Sequence, residues 1–118
     1  MTNDTASINY IQQMRFYFRK PANVDVYLAC VGTRRVGYLL LRREGPSTLI
    51  TEAVDEPYRG SGIATRMVQY AQRLYADLTA EILVGNAASI RLHKTAGFTL
   101  EGARGNVQTF RYTRRAVD

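Results

Sequence analysis

The chain has 118 residues, 46% of them hydrophobic and 22% charged, with a formal net charge of +6; the length suits one domain with a modest core, and the composition is ordinary for a soluble globular protein. No apolar run nears the roughly 18–20 residues of a membrane helix, and the polar opening residues lack a signal peptide's basic start and apolar stretch, so a cytoplasmic protein is expected. A single cysteine, Cys30, and a single histidine, His93, exclude an internal disulfide and leave no ligand-spaced cluster for a metal.

In chain order, Ile8, Ile11, Met14 and Phe18 recur at three- and four-residue spacing and predict an amphipathic helix, ended by Pro21. Residues 24–31 read as a strand, 32–35 as a hairpin turn and 36–42 as a second strand. Gly45-Pro46-Ser47 signals another turn, and residues 49–54 a third strand stopped at Asp55-Glu56-Pro57. The clearest helix follows: Ile63, Met67, Val68, Ala71, Leu74 and Tyr75 form one apolar face, with Arg66, Gln69, Gln72 and Arg73 on the other. Residues 81–84 make a short strand. A second helix is expected from Asn86, a good N-cap, to Ala96, with Gly97 as its stop. Residues 98–100 and 107–113 complete the strands. The early strands read as an antiparallel meander, and the later strand–helix–strand unit as a right-handed parallel crossover.

The basic residues are dispersed as Arg34-Arg35, Arg42-Arg43, Arg114-Arg115 and singletons. That suits solvated strand ends better than a nucleic-acid surface, and an anionic ligand or an acidic substrate uses the charge equally well.

One loop carries chemistry: Arg59-Gly60-Ser61-Gly62-Ile63-Ala64, between the third strand and the clearest helix. Glycines there let successive backbone N–H groups face one concavity, and the first helical turn adds its own unpaired N–H groups and partial positive charge. The result suits a phosphate or pyrophosphate. No lysine follows the glycines, as a P-loop requires, and Thr65 stands where a dinucleotide fingerprint needs a third glycine.

Two motifs carry a family resemblance. Arg59-x-x-Gly62-x-Ala64, with Val54 and Pro57 before it, fits the Gln/Arg-x-x-Gly-x-Gly/Ala signature of the GNAT acetyltransferase superfamily. The segment from Asn86 through Ser89 and His93 to Gly97-Phe98 resembles the second signature: an Asn opening a helix, a Tyr or His seven residues on, and a Gly-Phe pair beyond. Glu101-Gly102 and Arg104 are also familiar there. The resemblance runs from about Val24 to Tyr112. Only about twenty residues precede it, which predicts a shortened N-terminal helical segment over residues 1–20 and a substrate side less complete than the cofactor side.

The resemblance implies an α+β (α/β) fold over residues 1–118: a mixed, mostly antiparallel twisted sheet with a central β-α-β unit that binds coenzyme A, and flanking helices. It implies acetyl-CoA as the acyl donor and a small-molecule or peptide amine as acceptor. Backbone groups of Ala53, Val54 and Asp55 are expected to pair with the acyl-pantetheine arm. The loop Arg59, Gly60, Ser61, Gly62, Ile63, Ala64 and Thr65 is expected to hold the pyrophosphate, and Asn86 to reach the arm, cap its helix, or both. A backbone N–H, that of Val54, would stabilise the developing oxyanion. His93 stands where the family commonly has a tyrosine, and is expected to protonate the departing thiolate.

Glu52 is the expected general base. It shares a face with Val54, and burial strengthens a carboxylate as a base; Tyr58 and Tyr112 are weaker candidates. A non-catalytic acyl-CoA-binding or sensing domain is the alternative function. Exposed sheet edges leave room for a homodimer.

Overall fold

A computed structural model describes residues 23–115; the helix expected over residues 8–18 lies outside them. The chain forms strands β1 (Val24–Val31), β2 (Arg34–Glu44) and β3 (Ser47–Val54), helix α1 (Ile63–Leu74), β4 (Asp77–Leu83), helix α2 (Ala87–Thr95), β5 (Thr99–Arg104) and β6 (Val107–Thr113). The six strands make one sheet in the order β1-β2-β3-β4-β6-β5. β1, β2 and β3 are an antiparallel meander, β4 runs parallel to β3 after the α1 crossover, and β6 is antiparallel to both β4 and β5. This is the mixed, mostly antiparallel architecture expected from the sequence.

Several boundaries differ from that expectation. Gly32, at φ +63°, lets the first hairpin turn on Gly32-Thr33 alone, so Arg34 and Arg35 already pair with β1. Gly45, at φ +59°, does the same for the second, and β3 starts at Ser47. β4 begins at Asp77, four residues before the short apolar run at 81–84, because Asp77 and Thr79 alternate with the buried Leu78 and Ala80. β5 continues to Arg104 through a register shift between Leu100 and Gly102.

The core lies on one face of the sheet. Leu39, Leu41, Ile50, Leu78, Ala80, Ile82 and Phe110 pack with Ile63, Met67, Val68 and Ala71 of α1. Met67 and Val68 are fully buried, each worth about 1.5–3 kcal/mol of apolar burial. Leu74, expected on the same stripe, is instead 43% exposed at the helix end. There Tyr75 turns extended and donates its N–H to the Ala71 carbonyl.

The opposite face carries a polar clamp. The Ser47 hydroxyl donates to Asp77 Oδ1 at 2.7 Å and lies 2.6 Å from Thr79 Oγ1. Arg111 of β6 makes two bonds to the same carboxylate, at 3.0 and 2.6 Å. The Arg111 guanidinium, helped by Ser47, holds the Asp77 carboxyl below the ordinary carboxylate range against the opposing effect of burial. The clamp joins β3, β4 and β6 where β3 and β4 are paired. That pairing covers only Thr48–Leu78 and Leu49–Thr79; beyond it the two parallel strands part.

Candidate active site

The parting of β3 and β4 positions the site, and strand register decides which backbone groups face it. Asp55 donates its N–H to the Val36 carbonyl at 2.7 Å. In an antiparallel ladder such bonds fall on alternate residues. With Tyr38 opposite Ala53 and Glu44 opposite Ser47, the main-chain groups of residues 47, 49, 51, 53 and 55 are turned to β2. Those of Glu52 and Val54 are turned to the β4 side, where none of the described strands meets them. Of the three residues expected to offer backbone groups, Val54 turns its N–H to the gap, while its carbonyl accepts from Arg59 Nε. Ala53 and Asp55 are committed to β2, and Asp55 does not line the cleft.

A cleft of about 550 Å³ fills this gap. Glu52, Ala53 and Val54 form one wall, and Tyr58, Arg59, Gly60, Gly62, Ile63, Ala64 and Thr65 another. Asn86, Ala88, Ser89 and Leu92 of α2 close it. The structure thus brings most of the expected loop residues together. Ser61 is absent from the lining; its hydroxyl donates to the Tyr58 carbonyl. Ala88, Ser89 and Leu92 were not expected in the site. Leu92 follows Ser89 by three residues and Ala88 by four, which puts them on one side of a helix, a signal available once Asn86 is read as its cap.

The loop itself is built by a short 3-10 turn, Glu56–Tyr58, with Pro57 fixing its start. Gly60 and Gly62 then take φ values of +80° and +92°, a region that costs residues with a Cβ about 1–2 kcal/mol. Arg66 donates to the Gly62 carbonyl at 3.1 Å, closing the first turn of α1. The N–H groups of Ile63, Ala64 and Thr65 therefore have no helical partner, and they carry the positive end of the helix dipole. Arg59 is anchored by its Nε, which donates to the Val54 carbonyl at 3.1 Å. Its remaining guanidinium donors sit on the same loop. Asn86 acts as the N-cap of α2, its side-chain oxygen accepting from the Ser89 N–H at 3.1 Å.

Glu52 and His93 meet in the interior. His93 Nε2 is 3.1 Å from Glu52 Oε2, with side-chain exposures of 1% and 9%. The approach is off the line of a full hydrogen bond: among the described residues, His93 Nε2 and Glu52 Oε1 are both buried without a hydrogen-bond partner. The other ring nitrogen, Nδ1, lies 2.8 Å from the Ser89 carbonyl oxygen. Phe98 meets the ring edge-on at 5.0 Å. Burial alone would pull the His93 pKa down; the Glu52 carboxylate, and then the Ser89 carbonyl, outweigh it, and the net shift is upward. His93 is not among the residues lining the cleft. Glu52, which is, lies between it and the open space.

A splayed parallel pair, a glycine-rich loop opening a helix and a cleft between them define the class. A model of the acetyltransferase (GNAT) family matches residues 2–98, and the chain belongs to that family. The match begins well before Val24 and ends at Phe98, whereas the motifs alone suggest a span from Val24 to Tyr112.

Similar solved structures share the fold. A PaiA N-acetyltransferase from Thermoplasma acidophilum, in complex with coenzyme A, superposes with a TM-score of 0.73 at 11% identity, covering 77% of this chain and 61% of its own length. The N-acetyltransferase PseH of Campylobacter jejuni, solved also with acetyl coenzyme A, gives 0.69 at 13% identity over 80% of this chain and 71% of that one. An IAA acetyltransferase from Bacillus cereus gives 0.70 at 15% identity, over 77% and 78%. No curated protein matches the chain in sequence. Among the described residues, no helix is long and apolar enough to cross a membrane.

Proposed function

We propose that residues 1–118 work as one domain, a cytoplasmic N-acyltransferase that moves an acetyl group from acetyl-CoA to a primary amine by direct attack in a ternary complex. The observation that carries this reading is a buried carboxylate, Glu52, whose Oε1 has no hydrogen-bond partner among the described residues, on a residue that lines a cleft walled on its other side by the glycine-rich loop. Coenzyme A complexes among the similar structures support the choice of donor.

Acetyl-CoA, when bound, supplies a thioester carbonyl as the electrophile. The N–H groups at Gly60–Thr65 and the free guanidinium donors of Arg59 suit its pyrophosphate. The Val54 N–H, turned into the gap, suits the oxygen that becomes negative during attack. The Glu52 carboxylate accepts a proton from the attacking amine as the nitrogen–carbon bond forms. It returns that proton to the sulfur as the carbon–sulfur bond breaks, so the exchange balances with no other reactant.

His93 does not line the cleft, which favours one second reading, an acyl-CoA-binding domain without catalysis. Thiol release from acetyl-CoA with a panel of primary amines, set beside direct binding of acetyl-CoA, separates the two. The acyltransferase reading expects amine-dependent release, reduced about 100-fold or more in Glu52→Gln with binding retained. Binding without turnover on every amine supports the second.

A further inference from the structure

His93 is sealed behind the wall of the cleft, and both its ring nitrogens have assigned neighbours. Nδ1 faces the Ser89 carbonyl oxygen at 2.8 Å, an atom that only accepts, with the Ser89 hydroxyl farther off at 3.4 Å; the closer contact places a hydrogen on Nδ1 in either charge state of the ring. Nε2 faces Glu52 Oε2 at 3.1 Å. A bare lone pair there would oppose an ionised carboxylate in an interior that screens charge poorly. Below the midpoint of the ring's titration one proton therefore resides between the two groups, and it belongs to the pair.

We infer that His93 is a positioning residue for Glu52 and not the acid that meets the departing sulfur. By holding Oε2 it fixes the carboxylate of Glu52, a residue that lines the cleft, and by sharing a proton it sets the charge that Glu52 presents there. This role rests on the acyltransferase reading, because it gives Glu52 a proton to receive. Few other charges disturb the pair. Tyr58 and Arg59 line the same cleft as Glu52, and Tyr112 packs on Phe98, ring centroids 5.5 Å apart. Leu39, opposite Glu52 on β2, is apolar, as are the α1 residues Ile63 and Met67. On α2, Arg91 and Lys94 are exposed.

The chain holds one histidine, so nitrogen-detected NMR reads this ring without ambiguity in the free protein. The expected result is an Nδ1-protonated ring throughout the titration. Its midpoint should lie above the ordinary histidine value in the wild type and fall in Glu52→Gln, where burial acts unopposed. His93→Gln is expected to lower turnover about tenfold or more while leaving the acetyl-CoA dissociation constant within about twofold. A midpoint that does not respond to Glu52→Gln, or an Nδ1 that loses its hydrogen, overturns the pairing even if the wild type transfers acetyl groups. A wild type that transfers nothing, with the midpoint response intact, overturns the acyltransferase reading and the catalytic role of the pair, while the shared proton stands.

Discussion

Replacing Gly37 by alanine probes how β3 reaches the cleft. Gly37 lies on β2 opposite Val54, and a Cβ there would fall well inside contact with the Ala53 carbonyl oxygen and 3.2 Å from the Val54 Cα. Both are backbone atoms in a hydrogen-bonded ladder, so relief requires the end of β3 to move. Such overpacking costs about 1–3 kcal/mol. The lower chain entropy of unfolded alanine offsets roughly 0.4–1 kcal/mol of it, leaving a net loss of about 1–2 kcal/mol. For a chain of this size that is about 4–8 °C in Tm. Because Val54 and Glu52 move with the strand, acetyl-CoA affinity should fall as well. Gly85→Ala is the control, since nothing lies within 4 Å of its added Cβ and its φ is not in the left-handed region. Thermal unfolding of both variants checks the argument. A Gly37→Ala protein as stable as Gly85→Ala would refute the close approach of β2 to β3.

Other outcomes follow from single contacts. Asn86→Ala removes the cap on Ser89 and should cost about 1 kcal/mol, whereas Asn86→Asp keeps the cap but adds a negative charge to the cleft; comparing their unfolding midpoints and acetyl-CoA affinities separates capping from ligand contact. The raised pKa of His93 stabilises the fold fully below the ordinary histidine value, and this is lost as pH rises through the higher folded value. Chemical denaturation across that window should show the loss in the wild type and not in Glu52→Gln. Asp77 has the opposite sign: its depressed pKa stabilises above the ordinary carboxylate value and is lost as pH falls through the lower folded one. Asp77→Asn should therefore flatten the acid limb of the stability curve.

What could be read in advance was local. Gly60 and Gly62 announce left-handed turns, Asn86 announces a cap, and the oddness of Glu52 in an apolar strand announces a buried carboxylate. Each of these signals lies within a few residues of the feature it marks. What escaped depends on partners distant in the chain. β4 starts at Asp77 because Ser47 and Arg111, thirty or more positions away, satisfy a polar residue that looked like loop. The main-chain hydrogen-bonding groups of Ala53 and Asp55 are turned to β2 by a parity fixed at the Gly45-Pro46 turn, and placing that turn one residue shorter would have revealed it. His93 holds the expected motif position, but how α2 is rotated against the sheet decides whether its ring meets solvent or Glu52. In the fold the ring meets Phe98 edge-on and Glu52 from β3, and the second of these neighbours lies about forty positions away in the chain, outside the motif.

Titration calorimetry of coenzyme A against the wild type and Ala64→Glu tests the central claim most directly. Ala64 lies in the first turn of α1 and lines the cleft, so glutamate there adds a negative charge to the anion site without asking for a left-handed backbone. The account predicts saturable binding by the wild type, weakened about tenfold or more in the variant. A wild type that does not bind coenzyme A, or a variant that binds it equally well, would contradict the assignment of this cleft.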